Sequence, residues 1–570
     1  MKGDDHMERD IYEESLEFDF SGVDAAGPAF PLDRRQFLKV VGGGIVVCVA
    51  VPSSLAIQER QRRGVPGQEL PDDFNAFLRI GEDGRVTGFT GKVELGQGVI
   101  TSLAQMLADE LDVSLDSVDM VMGDTDLCPW DRGTFGSMTT RFFGPPFRAA
   151  AAEAKAVLVE LAAEHLGVAK DRLKTKAGVI YEEAGQKKVT YAELAKGKKI
   201  LRHLKGAALE TAADFTIIGK PTLRRDSVEK VTGKARFTGD LREPGLLHAR
   251  ILRPPVHGAK LISADTSGAR EIEGALVVED GDLIAVLHAY PDVAEKALAR
   301  IKPQYDRPEP YADDKTIFAH LLKVAPQGEV VTQGGNLTEG KATAHYVVEE
   351  TYLNSYVAHA PIEPHTALAK IEGNKVTVWA STQTPFPLKE AAASLLGLPP
   401  QNVRVITPFV GGGFGGKSNI QQALEAVRLA KLTGKPVQVA WTRAEEFFYD
   451  TFRPAAVVKI KAGVTESGLI SFWDYGVYFA GERGSQQFYN IPHHRTMAYG
   501  SGWTAPQGAH PFATGPWRAP ANNTNTFARE SHIDMLAAKV GMDPVEFRLK
   551  NLKDERMRRV LQAAAERFGW

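Results

Sequence analysis

The sequence predicts an α+β chain of several domains, and three observations carry that reading. At 570 residues the chain is long enough for about three or four domains. An apolar, strand-like run at Val403-Arg404-Val405-Ile406 leads into a loop with five glycines in six residues, Gly411 to Gly416, and a helix-like run from Ile420 to Val427 follows. Near the other end, Phe74 to Thr90 reads as a hairpin with Gly81 and Gly84 at its tip, and it is followed by helical apolar spacing from Thr101 to Leu111.

Composition narrows the class. Hydrophobic residues make up 43% of the chain, as in a globular protein. Its 68 basic and 71 acidic residues leave a net charge of −3, and no basic stripe points to nucleic acid. The only cysteines are Cys48 and Cys128. An iron–sulfur cluster needs about four thiolates, so any electron relay must lie on another chain.

Along the chain, residues 1 to about 32 are acidic and polar and are expected to lack a packed core. Arg34-Arg35 precedes Phe37, the apolar stretch Val40 to Val51, and small residues at Ser54-Leu55-Ala56. That order predicts a twin-arginine export signal over 1–56 and a periplasmic protein. The alternative is a short anchor, or a helix packed on the body. Residues 57–72 read as a linker with Pro66 and Pro71. A first domain is expected over 73–215, with a second, alanine-rich helix from Arg148 to Leu166. A smaller α/β unit is expected over 216–310, a linker over 311–345, and a last domain over 346–570.

The glycine loop admits two readings. Gly411 through Ser418 fits the phosphate-loop pattern G-x-x-x-x-G-K-[ST] letter for letter, which alone would suggest an NTPase. That reading needs an acidic residue at the end of a later strand to hold Mg²⁺, and Asp474 is a poor candidate. Alternatively, strand, glycine loop and helix together let backbone N–H groups approach an anionic ligand.

The second reading joins other landmarks. His359-Ala-Pro-Ile-Glu363-Pro364-His365, Trp379-Ala-Ser-Thr-Gln383, the loop itself, Arg443-Ala-Glu445-Glu446, Gly515-Pro-Trp-Arg518-Ala-Pro520 and Asp543-Pro544 follow one another in order. In this order they resemble the molybdopterin-binding subunits of the molybdenum hydroxylases, the xanthine dehydrogenase and aldehyde oxidase family. Gly96-Gln97-Gly98, Gly123-Asp-Thr125 and Gly133 to Thr140 resemble that family's second cofactor-binding domain, but here they precede the glycine loop. This relocated order is similar to the isoquinoline 1-oxidoreductase type. The resemblance implies an α+β subunit with a small hammerhead-like domain at 216–310 and cofactor-binding domains at 73–215 and 346–570.

The resemblance also implies roles. Gln383 and the backbone at Phe414 would lie near the apical oxygen of molybdenum, without being direct ligands, and Arg518 and Gly136 would lie beside the metal centre. Gly412, Gly413 and Gly415 would shape the loop over it, and Gly96, Gln97, Gly98 and Ser137 would hold the pterin or its dinucleotide. The implied cofactor is molybdenum-molybdopterin in its cytosine dinucleotide form. The implied partners are a subunit with [2Fe-2S] clusters and a cytochrome c. Ser418 stands where purine-oxidising members carry a glutamate, which disfavours purine. Asp131, Glu482 and His493-His494 are further polar candidates for a pocket. The family's catalytic base is a glutamate in Gly-x-Gly-Glu, and this sequence has no such motif. Either a second chain supplies that glutamate, together with the missing half-domain, or the chain binds cofactor without turning over.

Overall fold

The computed structural model of the chain describes residues 44–49, 75–183, 185–203, 207–503 and 505–570. The Arg34-Arg35 pair, Ser54 to Ala56 and the linker 57–72 lie outside these residues. The N-terminal unit holds strands β1 (Gly44–Val49), β2 (Asn75–Ile80), β3 (Val86–Thr90), β4 (Val118–Met122) and β5 (Lys199–His203). They form one sheet in the order β4-β3-β2-β1-β5. The hairpin expected over 74–90 is β2 and β3, antiparallel, closed by Gly84 with φ 78°. Helices α1 (Val99–Glu110) and α2 (Gly144–Leu166) cover the sheet. Leu103, Ala104, Leu107 and Ala108 recur at helical spacing on the buried face of α1. Each fully buried leucine there contributes about 1.5–3 kcal/mol.

β1 lies within the apolar stretch expected to be the core of an export signal. It pairs antiparallel with β2 and parallel with β5, and Ile45 is buried in the core. The expected boundary at residue 56 therefore does not separate this segment from the body. The run Ile45-Val46-Val47 is β-branched, which suits a strand as well as an apolar signal.

Among the strands that follow are β6 (Leu247–Ile251), β7 (Leu276–Asp280) and β8 (Leu283–His288). Then come β9 (Glu329–Gly334), β10 (Tyr346–Asn354), β11 (Thr366–Glu372), β12 (Lys375–Ala380), β13 (Val403–Ile406) and β14 (Val437–Ala440). The last three are β15 (Ala456–Val464), β16 (Ile470–Tyr478) and β17 (His493–Tyr499). A seven-stranded sheet runs β7-β8-β6-β14-β11-β12-β13. It crosses the expected border between the units at 216–310 and 346–570, because β6 pairs parallel with β14. Helices α3 (Pro385–Leu396) and α4 (Gln421–Thr433) pack on it through Leu388, Ala392, Ala426 and Leu429.

A second five-stranded sheet runs β9-β17-β16-β15-β10, covered by helix α5 (Asn522–Lys539) through Ala528, Ile533 and Leu536. The linker expected over 311–345 is thus corrected. β9 pairs with β17, and Ile317 and Leu321 of the helix Ile317–Val324 are buried. β9 is a half-exposed edge strand, so it lacks the apolar alternation that would mark it in sequence.

Candidate functional site

The glycine loop joins β13 to α4. Gly412 and Gly415 have φ of 92° and 118°, and Phe414 between them has φ 58°, a conformation that costs a non-glycine residue strain. Gly411 donates its N–H to Glu363 Oε2 at 2.8 Å, and Gly415 donates to Gln383 Oε1 at 3.0 Å. Gly416 closes a turn onto Gly413 O at 2.9 Å. Among the described residues, the N–H groups of Gly412, Gly413 and Phe414 make no hydrogen bond. Three neighbouring donors on a loop with left-handed residues suit an anionic oxygen. Phe414 is exposed, so the loop presents its tip outward.

Gln383 fastens this loop to a second one. It follows β12 and is buried, with its Nε2 donating to Thr134 O at 2.9 Å while its Oε1 accepts from Gly415. Thr134 N–H returns a bond to Gln383 O at 2.9 Å. Gly136 and Ser137, just beyond, are exposed with φ of 63° and 57°. Arg518 reaches the same place by its backbone, donating N–H to Phe414 O at 2.8 Å, with its side chain exposed. Ala519 and Ala521 after it, and Ala360 between His359 and Pro361, also have positive φ. Left-handed non-glycine residues thus gather on these loops, as strain gathers at functional sites.

Gly96, Gln97 and Gly98 form a third loop at the start of α1. Gln97 folds its side chain back, donating Nε2 to Val93 O at 3.0 Å. The loop connects to the others through residues 92–94. Lys92, buried, donates Nζ to Asp131 at 2.9 Å and to Gly133 O at 2.8 Å. Burial holds the Asp131 carboxyl above its ordinary range despite Lys92. Val93 donates N–H to Thr134 Oγ1 at 2.9 Å, and Glu94 O accepts from Val410 N–H at 3.1 Å. The structure therefore brings together the residues expected at the site. Gln383, Thr134, Phe414, Gly415 and Arg518 touch directly, and Gly96 to Gly98 join them through Val93 and Glu94. The polar candidates His493 and His494 do not belong: they lie on β17, where His493 Nδ1 accepts from Asn336. Glu482 is on the loop after β16 and exposed. Asp131 belongs as a buried strut.

Beneath the glycine loop lies a set of buried ion pairs. Lys417 Nζ donates to Glu363 at 2.8 Å, with the lysine fully buried and its ammonium held below the ordinary lysine range by burial. His365 Nδ1 lies 3.0 Å from Glu446, and its Nε2 lies 3.2 Å from Gly416 O. His359 Nδ1 lies 2.8 Å from Asp450, and its Nε2 lies 3.0 Å from Pro516 O. Burial opposes the charge on His359, but Asp450 and the carbonyl of Pro516 outweigh it and raise its pKa. Glu446 is held low, its burial outweighed by hydrogen bonds and charge from His365. Thr442 caps the helix Arg443–Tyr449 that carries Glu446, in a capping box with Glu445.

These pairs overturn the phosphate-loop reading. A phosphate-binding lysine must face the ligand, whereas Lys417 points down into Glu363. Gly416–Ser418 is a single 3-10 turn, and helix α4 begins only at Gln421. In the sequence, Glu363, His359, His365 and Glu446 stand within motifs but carry no assigned role, and Lys92 and Glu94 escape notice. The usable signal for Glu94 was a carboxylate two residues before glycines whose N–H groups need an acceptor.

Residues 32–236 and 322–552 each match a model described as a molybdopterin cofactor-binding domain. The model that is second of the pair matches first along the chain, which is the relocated order. Both matched segments carry the loops described above. The chain belongs to the molybdenum hydroxylase family. It is 29% identical over 573 residues to a nicotinate dehydrogenase chain of Pseudomonas putida, covering 94% of the chain and 47% of that protein. It is 26% identical to the beta chain of isoquinoline 1-oxidoreductase of Brevundimonas diminuta, covering 95% of the chain and 78% of that protein. It is also 26% identical to a membrane-bound aldehyde dehydrogenase of Gluconacetobacter polyoxogenes, covering 80% and 61%. It thus spans about half the length of the first of these relatives. In fold it is similar to quinoline 2-oxidoreductase from Pseudomonas putida, with a TM-score of 0.50 and 22% identity over 60% of this chain and 50% of that one. CO dehydrogenase from Oligotropha carboxidovorans gives a TM-score of 0.52 and 18% identity, over 62% and 54%.

Proposed function

We propose that this chain is the molybdopterin-binding large subunit of a molybdenum hydroxylase that oxidises an N-heteroaromatic ring carbon or an aldehyde, with water as the oxygen source. The observation that carries the reading is the set of three unclaimed N–H groups at Gly412, Gly413 and Phe414, on a loop stapled by Gln383 to the Gly133–Ser137 loop. A bound cofactor supplies two-electron redox chemistry at its metal, while the protein binds and orients it. The residues of this chain suit that division of labour. The three N–H groups donate to anionic oxygen, as in an oxyanion hole. Gln383 keeps the loops in register, and the exposed guanidinium of Arg518 offers a cation at the rim.

The names of the similar proteins, nicotinate dehydrogenase, isoquinoline 1-oxidoreductase and aldehyde dehydrogenase, support the substrate class. The proposal includes the cytosine dinucleotide form of the cofactor, electron transfer to a [2Fe-2S] subunit and then a cytochrome c, and periplasmic export guided by Arg34-Arg35. A second reading is a cofactor-binding chain without turnover.

Elemental analysis of protein purified from its own host tests the first claim, with about one molybdenum per chain expected. Folded protein without molybdenum overturns it. Reduction of an artificial electron acceptor by N-heteroaromatics and aldehydes, with and without co-purifying chains, separates the two readings: turnover supports the first, and a loaded but inert complex supports the second.

A further inference from the structure

The loop Gly96–Gly98 opens helix α1, whose first N–H groups would ordinarily be free to bind an anion. That of Ile100, and those of the two glycines before the helix, are claimed by a side chain. Glu94 Oε1 accepts from Gly96 N–H at 2.9 Å and from Gly98 N–H at 3.0 Å, and Oε2 accepts from Ile100 N–H at 3.0 Å. The carboxylate is buried, with only 4% of its side chain exposed. Arg224 closes the arrangement from the far side. Its Nη2 lies 3.3 Å from Glu94, its Nη1 donates to Gly96 O at 2.6 Å, and Asp226 holds the guanidinium at 2.7–3.0 Å. The main chain of Glu94 meanwhile accepts from Val410, the residue before the glycine loop.

We propose that Glu94 is a positioning residue for the cofactor. It acts as a built-in anion at the helix N-terminus that bends the Gly96–Gly98 loop into its binding shape and fixes that loop against the glycine loop. The inference rests on the molybdopterin-binding reading and deepens it. The N–H groups of Gly96, Gly98 and Ile100 are turned inward, and the Gln97 amide is held by Val93 O and Leu95 N–H, so these groups shape the loop rather than reach a ligand. A carboxylate suits the task because it accepts several charge-assisted bonds at once. A glutamine in its place would turn an amide N–H₂ toward one of the three donors.

The test uses the full chain produced in its own host with its partners, as wild type, E94Q, E94A and E94D. E193Q serves as a control, because Glu193 caps a short helix away from the loops. Three quantities are read: molybdenum per chain, amide hydrogen exchange at Gly96, Gly98 and Ile100, and the thermal midpoint of cofactor-free protein. In E94Q, exchange at those three amides is expected to rise by about tenfold or more, as local opening allows, while molybdenum per chain falls several-fold. E94D restores part of both, and the midpoint of E94Q stays near that of E193Q. Wild-type molybdenum content and exchange in E94Q overturn the proposal. So does a rise in exchange spread across the whole domain, which would make Glu94 a general scaffold. Should E94A fail to fold, the isosteric E94Q still decides. Wild-type protein without molybdenum would sink the proposed function instead, and exchange in that cofactor-free protein would still show whether Glu94 holds the loop.

Discussion

Lys417 changes meaning between sequence and structure. Within a glycine-rich pattern it reads as a phosphate ligand, but in the fold it is a buried cation that ties the loop to Glu363. Removing it leaves a carboxylate largely out of water with Gly411 N–H as its remaining donor, a change that typically costs about 3–5 kcal/mol. K417M should therefore lower stability by roughly that amount in urea unfolding, and K417M/E363Q should recover most of it. A cheap single substitution would mean that the pair contributes little. His359 gives a pH signature. Its raised pKa means that the stabilisation is complete below the ordinary histidine value of 6.5 and fades as pH climbs through the raised one. Wild type should lose more stability on the alkaline side than H359Q, and parallel profiles would rule the imidazolium out. None of these pairings was legible beforehand, because each joins residues dozens of positions apart.

At the scale of elements, local pattern was readable and long-range pairing was not. The hairpin β2–β3, the strand β13 and the helix α4 fall where periodicity placed them, since each depends on neighbours in sequence. The glycine loop was legible as a loop, but its reason for needing glycine is tertiary. A Cβ at Gly415 would meet Pro516 O at 1.9 Å, on a backbone with φ 118°. G415A should destabilise by about 1–3 kcal/mol and reduce molybdenum content. G508A is the matched control, with φ 84° but open space around the added carbon. Equal behaviour of the two would mean that backbone strain alone, not the collision with the Arg518 loop, sets the cost.

For the whole molecule, the seven-stranded sheet joins what composition divides. Leu247 on β6 lies opposite Val437 on β14, a pairing that no local signal announces. Arg253, just after β6, is half-buried against Glu425 at 2.6 Å and Glu445 at 2.8 Å, which lock the same border. R253M should cost about 3–5 kcal/mol, since it leaves two largely buried carboxylates without their shared cation. Residues 216–310 should also unfold together with 346–570 in one transition. Limited proteolysis that released a stable fragment spanning 216–310 would contradict this.

The placement of β1 has a consequence for maturation. Gly44–Val49 separates β2 from β5, so a peptidase that clipped the chain after Ala56 would take a strand from inside a finished sheet. β5 would lose its neighbour in the sheet, and β2 would gain a raw edge open to pairing with other chains. A segment written like a disposable postal label is, in the folded protein, part of the parcel's wall, and the intact mass of the native protein should still include it.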